Sequence, residues 1–204
     1  MRVAILFSGN AASVYCHHLI REAGLDVAYL VTARAHLPSR MKQSLDPDLT
    51  RLSARSLEIP LMEFVADEVD TSPLIEALAG LEIDGLCDGA IRSNHRRNRL
   101  VEVCQKLKIQ LLLPLWHKDP AEILTNMIEE GFVIMIKLKS DRLDGGWHSR
   151  VLDGENRDEF IQVCDENGID PMGESKEFDP IVLAGPSMRD RMKVSPSLLP
   201  RQSP

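Results

Sequence analysis

The chain alternates short apolar runs with longer amphipathic stretches. RVAILF (Arg2–Phe7) predicts a strand buried on both faces, as in parallel sheets. Ala11–Ala23 has helical periodicity closed by Gly24, and DVAYLVT (Asp26–Thr32) predicts a second strand. Ala33–Pro47 is polar, carries Pro38 and Pro47, and reads as a loop. A helix over Leu49–Leu57 and a strand over Ile59–Val65 follow. Ser72 and Pro73 read as N-cap and first position of a helix reaching Leu81. Gly85–Ile91 predicts a fourth strand, Arg97–Leu107 a helix and Ile109–Leu115 a fifth strand. Asp119 caps a helix over Pro120–Gly131, and Phe132–Leu138 predicts a sixth strand. This alternation predicts an α/β fold, an open parallel sheet with helices on both faces.

The pattern loosens after Ser140, leaving a helix over Glu155–Asn167 and a strand within EFDPIVLAG (Glu177–Gly185). We therefore divide the chain into a nucleotide-binding α/β domain (1–139), a small C-terminal α+β substrate portion (140–190) and a flexible tail (191–204).

Composition narrows the function. With 204 residues, 44% of them hydrophobic, the chain fits one domain or one domain with an appendage. A net charge of -7 argues against generic nucleic-acid binding, though it leaves room for a local basic patch. Cys16, Cys87, Cys104 and Cys164 form no CxxC pair and read as reduced core residues. His17 and His18 lack partners at metal-ligand spacing, and no metal ligand is assigned. A strand beginning after one arginine leaves no signal peptide, and no apolar run approaches the ~20 residues of a membrane span. The expectation is a cytoplasmic protein without membrane contact.

Ligands of open parallel sheets sit beyond the carboxyl ends of the strands. The loops to inspect are Ser8–Ser13, Thr32–Arg34, Ile91–Arg99 and Trp116–Asp119. Ser8–Ser13 (SGNAAS) reads as a backbone anion cradle at a helix start, or as a tight turn with Ser8 or Asn10 as N-cap. Arg92–Arg99 (RSNHRRNR) places four arginines and a histidine at a helix start, where the dipole disfavours them. That placement points to anion binding by at least one of them, Arg92 or Arg96 standing in for an absent lysine. Trp116 offers a stacking face or a packing role.

Four stretches, in order and spacing, carry a resemblance: LFSGNAAS, DGAIRSNHRRNRLVEVC, LLLPLWHKDPAEILTNMIEEGF and IDPMGESKEFDPIVLAGP. They resemble the ATP-binding domain of the diphthine–ammonia ligase family, a branch of the N-type ATP pyrophosphatases (PP-loop ATPases) with a HUP-like fold. The family's first loop reads SGGKDS. Here Asn10, Ala11 and Ala12 stand for its second glycine, lysine and aspartate, while Ser8, Gly9 and Ser13 match. Asn94, His95 and Arg96 replace Asp, Tyr and Gln, His117 replaces a glycine, and Ser175 and Lys176 replace small residues.

The resemblance implies that Ser8, Gly9, Asn10, Ser13, Ser93, Arg97 and Arg99 hold ATP or AMP. It places Glu174, Glu177 and Trp116 on the substrate side, and assigns no catalytic side chain among the residues that remain. The implied reaction is adenylation of a carboxylate, here diphthine on translation elongation factor 2, followed by displacement of AMP by ammonia. The missing aspartate leaves Mg²⁺ fewer hard oxygen ligands. Two functions stay open: such a ligase, diverged in activity, or a non-catalytic paralogue that binds an adenine nucleotide or a partner. A homodimer is compatible with either.

Overall fold

The computed structural model describes residues 1–35, 46–66 and 70–194. Most of the loop read at Ala33–Pro47, and most of the tail read at 191–204, lie outside the described residues.

The first sheet has five parallel strands in the order β3-β2-β1-β4-β5: β1 (Arg2–Leu6), β2 (Asp26–Ala35), β3 (Leu61–Ala66), β4 (Gly85–Cys87) and β5 (Gln110–Leu112). Alternate side chains of β1 feed two cores. Val3 and Ile5 pack with Val14, Cys16 and Ile20 of α1 (Ala11–Glu22) and Ala54 and Leu57 of α2 (Pro47–Leu57). Ala4 packs with Leu78 of α3 (Ser72–Ala79) and Leu100, Val103 and Cys104 of α4 (Asn94–Leu107). Helices therefore cover both faces of a parallel sheet, as the alternation predicts.

A second sheet, ordered β7-β6-β8, is antiparallel: β6 (Val133–Leu138), β7 (Val151–Leu152) and β8 (Phe178–Ala184). The expectation that the sixth strand continues the parallel run is corrected here. β6 leaves α5 (Pro120–Glu129) and pairs with β8 from Val133↔Ala184 to Leu138↔Phe178. The next helix, α6 (Arg157–Glu166), seals that sheet through Phe160 and Cys164, both fully buried.

Boundaries move for local reasons. β2 runs to Ala35 because Thr32–Ala35 pair with Glu63–Ala66. α2 starts at Pro47, whose fixed φ suits the first turn, and Asp46 caps it by accepting the Asp48 N–H at 2.9 Å. β4 stops at Cys87, where the chain turns away at Asp88 toward α4, and β5 stops at Leu112, ahead of the turn in which the Trp116 N–H donates to the Leu113 carbonyl. Ser93 accepts the Arg96 N–H at 3.3 Å, so α4 opens at Asn94, earlier than the apolar periodicity suggests. All four cysteines are buried free thiols.

Candidate functional site

The connection from β1 leads to one side of the sheet and β4 lies on the other. That strand reversal opens a crevice at the carboxyl ends of β1 and β4, where such sheets bind ligands. The Ser8–Ser13 loop and the segment after Cys87 line it.

The loop is closed on itself. Asn10 is the N-cap: its Oδ1 accepts the Ser13 N–H at 3.0 Å. The Ser13 hydroxyl donates to the Asn10 carbonyl at 3.0 Å and accepts the Gly9 N–H at 3.1 Å. The Asn10 N–H reaches the Ser8 hydroxyl at 3.4 Å. Three main-chain donors that could face an anion, those of Gly9, Asn10 and Ser13, are thus engaged within the loop. Gly9 makes the turn at φ 82°, a conformation that suits glycine.

Neighbours clamp the loop from two sides. Thr50 of α2 donates its hydroxyl to the Ser8 carbonyl at 2.7 Å. Asn10 also pairs with Ile181 of β8 in an isolated antiparallel bridge, which ties the second sheet to the crevice. Ala11 and Ala12, at the motif's lysine and aspartate positions, are buried. Gly89 packs so tightly there that a Cβ on it would lie 3.2 Å from the Ala12 backbone and Cβ. A triphosphate needs free donors and a compensating cation at this turn. The donors of Gly9, Asn10 and Ser13 are occupied and two alanines stand where the motif carries charge, so the loop's side chains supply no cation for that group.

Across the crevice, Asp88 is fully buried. Arg96 grips it with a fork, Nε to Oδ1 at 2.8 Å and Nη2 to Oδ2 at 2.6 Å, and the Ala90 N–H adds a bond at 2.9 Å. The Asp88 charge, ahead of its own hydrogen bonding, holds Arg96 firmly protonated. Arg96 is therefore committed to Asp88, and Arg92 leans on Asp119 at 3.7 Å. Arg96 is thereby not free to stand in for the motif lysine. Sequence reasoning missed Asp88, although a carboxylate inside the apolar run GLCDGAI signals a partnered buried charge.

The Cys16 thiol sits beside Cys87, and bonding to that thiol together with burial pushes its pKa well above the ordinary value. A thiol so held is inert.

The remaining residues named from sequence fall into two groups. Ser93 caps α4, and Arg97 extends over the Trp116 ring at 5.6 Å. Trp116 stacks on His117 at 4.7 Å, and His117 adopts φ 60° where the motif has glycine. Arg99 follows on the same helix, partly buried. Glu174 accepts the Ile91 N–H at 3.0 Å, so it braces the β4–α4 turn, and burial raises its pKa. Glu177 is bonded to Arg142 at 2.7 Å and Asp179 to Lys139 at 3.0 Å. The glutamates thus join the C-terminal segment to the turn after β4 and to the segment after β6.

Against known families, residues 1–111 match the diphthamide synthase N-terminal domain and residues 119–199 the C-terminal domain. The chain belongs to the diphthamide synthase family. Diphthine–ammonia ligase of Bos taurus is 28% identical over 97% of this chain and 84% of its own length. The human protein of that name shows the same identity and coverage. The Schizosaccharomyces pombe protein of that name is 26% identical over 94% of this chain and 36% of its own. Among solved structures, one described as a predicted subunit of tRNA methyltransferase from Methanocaldococcus jannaschii superposes with a TM-score of 0.52. It is 18% identical and covers 94% of this chain and 100% of its own, a likeness in fold. In this diphthamide synthase family member, no helix among the described residues is long and apolar enough to cross a membrane.

Proposed function

We propose that this family member has given up ATP-dependent amide formation at its first loop and acts as a binding protein. The observation that carries this reading is the closed Asn10–Ser13 loop, whose donors at Gly9, Asn10 and Ser13 are spent on its own side chains. Two losses support it: without the lysine at Ala11 a charge-assisted phosphate contact of about 1.5–3 kcal/mol is gone, and without the aspartate at Ala12 a metal has fewer oxygen ligands. In this reading the pair between buried Asp88 and Arg96, together with the Glu174 brace, maintains the crevice walls as structure.

The names of the relatives favour a second reading, an amide-forming ligase acting in diphthamide biosynthesis on translation elongation factor 2, with ATP as co-substrate. The two are separated by incubating the protein with ATP, Mg²⁺, ammonium and elongation factor 2 carrying diphthine, then measuring AMP and pyrophosphate. The binding reading expects no release above a protein-free control. AMP formed in step with amidated factor overturns it in favour of the ligase.

A further inference from the structure

We propose that the open edge of β3 is where two copies of this chain join, strand against antiparallel strand, into a two-fold dimer. The inference goes beyond the reading of the first loop and holds for a ligase and for a binding protein alike.

β3 ends the parallel sheet, and among the described residues no strand pairs with its outer side. Successive peptide groups of a strand point to opposite sides. The Pro60 carbonyl accepts the Leu30 N–H at 2.9 Å, so Met62 and Phe64 face β2 in the same way. Leu61, Glu63 and Val65 therefore turn their N–H and C=O groups outward. Such an edge is a template for another strand.

Side chains alternate with the same period. Met62 and Phe64 pack toward α3 and α4, while Leu61 packs toward α1 and α2. Val65 shares the side of Leu61 and is 55% exposed, one of two large apolar side chains so exposed among the described residues. On that side a groove of about 720 Å³ follows the start of β3, lined by Arg51, Arg55, Glu58 and Glu63 with apolar Ile59 and Leu61.

The occupant that fits is a second copy. Antiparallel pairing of β3 with itself sets Leu61 opposite the partner subunit's Val65, and Val65 opposite the partner subunit's Leu61, so each exposed valine meets an apolar neighbour. Glu63 meets the partner subunit's Glu63 at the two-fold axis. Each arrives already held by Arg51 at 2.8 Å and Arg34 at 3.3 Å, which offsets the repulsion. In the groove two arginines balance two glutamates, which favours no strongly charged partner and suits a copy bearing the same set. The pairing is isologous and closes at two.

The test is sedimentation velocity of the full chain from about 5 to 200 µM. The expected result is a monomer–dimer equilibrium with a dissociation constant on the order of 10–100 µM, as suits a short strand on each side. Val65→Lys puts a charge on the edge, and Val65→Pro removes an outward N–H while leaving the β2 ladder whole. Each should weaken the dimer about tenfold or more, and Val65→Ile should dimerise like the parent. Circular dichroism confirms that each variant is folded, and Val65→Lys carries the test if the proline variant is not. In the parent, the Glu63 and Val65 amides should exchange more slowly as concentration rises, while the Phe64 amide, which faces β2, keeps its rate. A chain that stays monomeric leaves the edge to a strand of another protein and overturns the proposal. So does a dimer that survives Val65→Lys, or assembly beyond dimers. Dimerisation is read without ATP or elongation factor, so its absence sinks only this inference, and AMP formation sinks only the reading under Proposed function.

Discussion

Asp88 and Arg96, eight positions apart, form a two-pronged ion pair in which the carboxylate is fully buried and the arginine side chain is 53% exposed. The arginine that charge counting would assign to phosphate is instead the counter-ion of the crevice wall. Removing it strands a buried charge, which in comparable pairs costs about 3–5 kcal/mol, less here because water reaches Arg96. Arg96→Met should destabilise the protein by about 2–3 kcal/mol in urea unfolding. Asp88→Asn/Arg96→Met should lose less than the sum of the two single variants, and strict additivity would show that the pair is not coupled.

His17 is fully buried with both ring nitrogens unbonded, and burial first, then Arg21 and His18, lowers its pKa to about 4. In the unfolded chain the ring titrates near its ordinary value, about 6.5. Between those values the unfolded state binds a proton that the folded state refuses. Stability contributed by neutral His17 is therefore present above about pH 6.5 and is lost as pH falls toward 4, by about 2–3 kcal/mol. Unfolding measured across that window, wild type against His17→Leu, should show the slope diminished in the variant.

Glu174 reaches from the C-terminal segment to the Ile91 N–H and couples that segment to the turn bearing Arg92–Arg99. Glu174→Ala should leave a buried N–H unpaired and cost about 1–3 kcal/mol. Hydrogen exchange at Ile91 should accelerate in the variant relative to amides of β1, and unchanged protection would mean that the bond carries no weight.

Restoring the family's charged pair tests whether the loop can be reopened. Ala12 lies under Gly89, so a longer side chain must displace that packing. Ala11→Lys/Ala12→Asp should destabilise the fold by about 1–3 kcal/mol and leave ATP affinity unimproved. Tighter ATP binding in a folded double variant would show that the turn still faces a nucleotide.

Much of the fold is legible in the sequence because strand and helix periods are local. RVAILF followed by a capped amphipathic stretch gives β1 and α1, and Asn10 is one of the two caps that the turn chemistry offers. The partner of β6 is not local. VIMIKL reads the same in a parallel or an antiparallel sheet, and only pairing with β8, some forty residues on, decides it. The site was legible in the same uneven way. The positions of Ser8–Ser13 and Arg92–Arg99 at strand ends follow from topology. Side-chain engagement does not: that Asn10 and Ser13 turn inward on their own backbone, and that Arg96 closes on Asp88, depend on distances no spacing rule supplies.

The most direct test of the closed loop is calorimetric titration of the full chain with ATP, with and without Mg²⁺. The account predicts no saturable heat up to about 1 mM ATP, a free energy weaker than about -4 kcal/mol, and no effect of the metal. A micromolar, Mg²⁺-dependent dissociation constant that Ser13→Ala weakens would contradict it.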